Sequence, residues 1–97
     1  MHRVALLALL EAKAGKEEEL AAFLKSALPL AIQEPATVSW FAFRVDSSRF
    51  GIFDTFADES GRNAHLNGEI AKALFARGEE LLASPPQIER PEILAAK

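Results

Sequence analysis

The sequence predicts an α+β domain, one antiparallel sheet with two helices on one face. Hydrophobic periodicity switches along the chain in the order strand, helix, strand, strand, helix, strand. Both parities of the first and third predicted strands are apolar, so both faces of the sheet call for cover. The chain has 97 residues, enough for one domain (1–97), because halves of that length would bury too little apolar surface to be stable.

The first predicted strand covers residues 4–12, with Val4, Leu6, Ala8 and Leu10 on one parity and Ala5, Leu7 and Leu9 on the other. Helices can cover one face. The other needs a cover that so short a chain cannot supply, which predicts a homodimer through the open sheet face. Ala14-Gly15 marks a turn, and a helix is predicted over 16–33. Leu20, Phe23, Leu24, Ala27, Leu28 and Ala31 form its apolar stripe. Glu17, Glu18 and Glu19 suit the positive end of the helix dipole and read as a solvated helix start, not a partner site. Pro29 lacks a backbone donor and predicts a kink or an end.

Glu34-Pro35-Ala36 connects to a strand over 37–46, rich in aromatic and β-branched residues. Asp46-Ser47-Ser48 is a turn of short polar residues, and a third strand follows over 49–57. Asp58 is a good N-cap, and Gly61 and Gly68 predict two short helices, about 59–67 and 69–83. In the second, Ile70, Ala73, Leu74, Arg77 and Leu81 share a face, with the Arg77 stem lying along it. Ser84-Pro85-Pro86 ends that helix. A last strand over 87–95 lies at an edge, or has a free side at Pro91, because Pro91 cannot donate to a ladder. The order is that of the ferredoxin-like βαββαβ arrangement.

Composition narrows the function. A net charge of −3 offers no basic stripe for a phosphate backbone, so no nucleic-acid partner is expected. Without cysteine, thiolate chemistry and cysteine metal clusters are excluded. The apolar run 4–10 is too short to span a bilayer and reads as a strand, not a leader. No membrane association is expected, and the predicted location is cytoplasmic.

Chemistry concentrates in residues 50–65. His65 has an ordinary pKa of about 6.5, so it can exchange a proton at cellular pH. Alternatively it is structural, bonded to a backbone carbonyl or to Glu69 one turn on. Asp54 lies between Ile52 and Phe56 on one strand face, and a carboxylate so placed should be paired or have a raised pKa. Arg44 on the neighbouring strand is the favoured partner, with orientation of His65 as the alternative. Trp40 is either core or pocket wall. Asn63 and Asn67 flank His65, where they cap local turns or bond a substrate oxygen. His2 is expected to be a mobile terminal residue. Two separated histidines without a carboxylate cluster at ligand spacing predict no metal site.

From Glu34-Pro35-Ala36 through Trp40 and Asp54-Thr55-Phe56 to Ala64-His65, the chain resembles the antibiotic biosynthesis monooxygenase family. That family has a Glu-x-Gly turn, a strand aromatic after it, an acidic-x-aromatic step in the third strand and Ala-His in the second helix. Ala36 replaces the usual glycine, and Trp40 stands where tyrosine is frequent. The resemblance implies a dimeric α/β barrel and oxidation of a small aromatic phenol or quinol by O2 without a cofactor. It also implies His65 as proton acceptor and Asp54 as its catalytic companion, with Trp40, Phe56, Asn67 and Phe75 as substrate-binding candidates. Phe75 occupies the position of the iron-ligating histidine in heme-degrading relatives, so heme degradation is not expected. The chain has no tyrosine of the kind used by some polyketide-oxidising relatives. That departure leaves two other possibilities: a non-catalytic dimeric module for a small hydrophobic ligand, or a purely structural partner.

Overall fold

A computed structural model describes residues 2–97. Its elements are β1 (Val4–Glu11), α1 (Glu17–Ser26), α2 (Leu28–Ile32), β2 (Thr37–Arg44), β3 (Arg49–Phe56), α3 (Glu59–Leu66), α4 (Glu69–Leu81) and β4 (Gln87–Glu89). The sheet runs β2-β3-β1-β4 with every pairing antiparallel. This is the ferredoxin-like order expected from the sequence.

One boundary sharpens an expectation and another departs from it. The helix predicted over 16–33 is two helices, because Ala27 closes α1 with its N–H on the Leu24 carbonyl. Pro29 then sits in the first turn of α2, where a missing N–H costs nothing. The last strand is three residues long, not the predicted 87–95. Pro91 breaks the ladder, yet the chain keeps close to β1: Ala5 N–H donates to the Pro91 carbonyl and Ile93 N–H to that of Arg3.

Leu6, Ala8 and Leu10 of β1 and Phe50, Ile52 and Phe56 of β3 are buried, as are Leu20 and Leu24 of α1 and Ile70, Leu74 and Leu81 of α4. Burial of each large side chain contributes roughly 1.5–3 kcal/mol. The predicted position of Arg77 holds, its guanidinium lying 5.7 Å from the Phe23 ring centroid. The acidic first turn of α1 is a solvated surface: Glu18 pairs with Arg44 at 2.8 Å and Glu19 with Arg77 at 3.1 Å. Such exposed pairs stabilise little.

The opposite sheet face is apolar and incompletely covered. Register lines up Phe41, Phe53 and Leu7 in one cross-strand row and Phe43, Gly51 and Leu9 in the next. Leu9, Phe41, Phe43 and Val45 are exposed. Gly51 leaves room for the Phe43 ring, since a Cβ at that position would lie 2.3 Å from it and the ring would have to swing away. The polar corner of this face joins Ser39 and Thr55 through their hydroxyls at 2.6 Å. His2, expected to be mobile, instead places Nδ1 2.6 Å from the Thr55 hydroxyl.

Candidate active site

Strand alternation on β3 sends Ile52, Asp54 and Phe56 toward the helices. The Asp58 carboxylate accepts from Gly61 N–H at 3.0 Å and fixes the start of α3. That start places Gly61, Arg62 and His65 on the buried side of the helix, as i, i+4 spacing requires. The imidazole thus arrives above Asp54. The connection between α2 and β2 delivers a third group, Glu34. Gly68 lets it approach, because a Cβ there would meet the Glu34 carboxylate at 3.1 Å.

The three side chains form one chain of contacts. His65 Nε2 lies 2.8 Å from Asp54 Oδ2, and Nδ1 lies 2.7 Å from Glu34 Oε1. Thr37 donates its hydroxyl to the same Glu34 oxygen at 2.7 Å. Exposure grades outward, from 1% for the Asp54 side chain and 8% for His65 to 21% for Glu34. Phe56 packs its ring 5.5 Å from the imidazole. The Nε2–Oδ2 contact is at ion-pair distance, but neither Asp54 oxygen meets an aligned hydrogen-bond donor among the described residues. The indole Nε1 of Trp40, whose residue pairs with Asp54 across the β2–β3 ladder, is likewise buried and without a partner among them.

Burial opposes a charge on His65, but the close contact and negative charge of Asp54, and after them the hydrogen bond and charge of Glu34, outweigh it. The net effect raises its pKa to about 9. The ring therefore carries two protons at neutral pH, one facing each carboxylate.

His65 separates two hollows. On the inner side a cavity of about 40 Å3 lies against Asp54 and His65, walled by apolar side chains including Leu6, Ile52, Ile70 and Phe75. On the outer side a groove of about 340 Å3 exposes Glu34, Thr37 and Glu69. Phe75, 58% exposed, lines the inner cavity and a second surface groove of about 560 Å3 beside Pro85 and Pro86.

Of the sequence candidates, the fold brings together His65, Asp54 and Phe56, with Phe75 at the cavity wall. Asp54 does not pair with Arg44. That guanidinium is drawn outward to Glu18 and over the Phe50 ring at 4.8 Å. Nor does His65 bond to Glu69; two acids from other elements hold it. Trp40 joins both core clusters instead of the cavity wall. Asn67 caps α3 and donates to the Asn63 carbonyl at 2.9 Å, away from the cavity. The sequence reading missed Glu34 as a site residue, although its place in the Glu-x-Gly-like turn was a signal. It also missed Arg62, buried and donating to the Ala5 and Pro91 carbonyls. Among the described residues, no group of three or more His, Cys, Asp or Glu side chains is arranged to hold a metal ion, and no helix is long and apolar enough to cross a membrane.

The chain is similar over its whole length to the NE2512 protein of Nitrosomonas europaea, a protein of unknown function. The two share 59% identity with a TM-score of 0.98, over 100% of this chain and 94% of that one. A second Nitrosomonas europaea protein, named provisionally an antibiotic biosynthesis monooxygenase, shares the fold with a TM-score of 0.84 at 16% identity, over 96% of this chain and 91% of that one. A Chloroflexus aurantiacus protein with the same provisional name does so with a TM-score of 0.75 at 18% identity, over 98% and 96% of the two chains. No family model matches the chain, and no curated protein matches it.

Proposed function

We propose that this chain, which belongs to the same family as the Nitrosomonas europaea NE2512 protein, is a cofactor-independent monooxygenase that oxidises a small aromatic phenol or quinol with O2. The observation that carries this reading is Asp54, a carboxylate 1% exposed, set against a protonated imidazole and facing an apolar cavity. Proteins of the same fold that carry the monooxygenase name support it.

The acceptor role expected of His65 passes to Asp54, because a ring whose pKa is about 9 has no free lone pair at neutral pH. Asp54 takes the hydroxyl proton of the phenol, and the imidazolium offsets the negative charge that accumulates. The electron-rich phenolate reduces O2 and a carbon–oxygen bond forms on the ring. Loss of the ring C–H proton and cleavage of the O–O bond leave a quinone and water. One oxygen atom enters the product and the other leaves in water, and the phenol supplies all four electrons.

The inner cavity, about 40 Å3, is smaller than the roughly 150 Å3 that holds a benzene ring. An aromatic substrate therefore enters by displacing Phe75 outward, toward the groove it also lines. A second copy of the chain covers the open sheet face in this reading and removes Phe41 and Phe43 from water. A second function, a non-catalytic dimeric module for a small hydrophobic ligand, is favoured by the apolar walls of the same cavity.

Oxygen uptake across a panel of quinols and anthrone-like phenols tests the proposal, with Asp54→Asn and His65→Ala as controls. The expected result is uptake that falls at least 100-fold in Asp54→Asn, within the range general base catalysis contributes. Ligand binding without uptake would favour the module instead.

A further inference from the structure

The inner cavity has a proton-exchange problem that the reaction chemistry alone does not solve. Apart from Asp54 and His65 its walls are apolar, so protons cannot leave along side chains on that side. The outer groove has the opposite character, with Glu34, Thr37 and Glu69 at its surface. His65 belongs to both linings, and its two nitrogens divide between them: Nε2 at 2.8 Å from Asp54, Nδ1 at 2.7 Å from Glu34.

We propose that Glu34, acting through His65, is the port by which the buried Asp54 carboxylate exchanges charge and protons with solvent. Glu34 does not touch the cavity, so it is a positioning residue and not a catalytic one. Its geometry fits the task. The Thr37 hydroxyl, donating at 2.7 Å, fixes the oxygen that faces Nδ1, while the carboxylate remains 21% exposed in the groove.

The proton accounting is direct. When Asp54 binds a proton, His65 loses one of the two negative charges that hold it protonated. The ring then releases its Nδ1 proton to Glu34, which passes it to water in the groove. When Asp54 gives its proton back, the ring is recharged by the same path. The proton reaching solvent is thus not the one taken from the substrate, and no oxidant or reductant is involved. The charged groups around the ring are Asp54 from β3, Glu34 from the α2–β2 connection and Glu69 from α4 at the groove. On α3 itself, Arg62 is held by Glu59 and by the Ala5 and Pro91 carbonyls.

The inference deepens the proposed function but is tested without substrate. In the full-length 15N-labelled chain, exchange of the two His65 ring protons with water is followed by NMR at neutral pH, with His2→Gln removing the other histidine. The expected result is Nδ1–H exchange at least tenfold faster than Nε2–H exchange, slowed about tenfold in Glu34→Gln and substantially restored in Glu34→Asp. Phe75→Ala, which opens the cavity from the other side, leaves Nδ1 exchange unchanged. Exchange that is unchanged or faster in Glu34→Gln, or an Nε2 proton that exchanges first, overturns the proposal. If the port is confirmed and no phenol supports oxygen uptake, the relay stands and the monooxygenase reading fails.

Discussion

The two faces of the sheet are made from the same four strands and treat polar groups in opposite ways. On the helix-covered face, Asp54 lies in the middle of β3 with almost no exposure, and its charge is balanced by an imidazole drawn from α3 and reached by Glu34 from a connection. On the open face, one residue further along, Thr55 shares its hydroxyl with Ser39 and His2, and Leu9, Phe41 and Phe43 stand exposed around it. The covered face is complete within one chain. The open face has no such completion, and its large apolar side chains meet water. A charge is tolerated where surrounding elements converge on it, and apolar surface remains exposed where no element of the chain reaches it.

The contrast can be broken first in the core. Leu20→Ala removes a side chain with no exposure and should destabilise the chain by roughly 2–5 kcal/mol in urea titration; a cost below about 1 kcal/mol would mean the covered face is loosely packed. The His65 ion pairs come next. Their stabilisation is fully present below the ordinary histidine pKa of about 6.5 and is lost as pH rises through about 9, because the folded state holds the proton more tightly. Unfolding free energy should therefore fall between those values by at most about 3 kcal/mol, and His65→Gln should flatten that slope. A flat wild-type profile would show that the imidazole is not held charged.

Phe41→Glu sharpens the comparison from the other side. The folded chain should lose no more than about 0.5 kcal/mol at low concentration, while sedimentation should show a dimer in the wild type and a monomer in the variant. A wild-type monomer at micromolar concentration would mean that the open face has no second copy on it. Asp58→Ala, which removes the cap of α3, tests the anchoring of the His65 helix itself. A modest drop in Tm is expected, together with broadened His65 ring signals as the helix start loses its register.

How much of this was legible in the sequence depended on range. The N-cap at Asp58, the break near Pro29 and the alternation of β2 and β3 are local, fixed by backbone sterics within a few residues, and the structure follows them. The stripe of α1 and the stem of Arg77 were equally readable, since helical spacing alone places them. Asp54 was identified as a carboxylate in need of a partner, but the expected partner was wrong. The register sets Trp40 opposite Asp54 and Arg44 opposite Phe50, and the guanidinium turns outward to Glu18. The acid that completes the site, Glu34, lies 31 positions from His65, and no periodicity links residues so far apart.

The sequence by itself determined the order of elements and the faces of each strand. Those follow from side-chain periodicity and from turns that only certain residues make. Tertiary structure alone decided which carboxylates hold His65, where its ring sits between an apolar cavity and a polar groove, and how far its pKa moves. Distance and burial set these, and both come into being only when segments remote in the chain pack against each other.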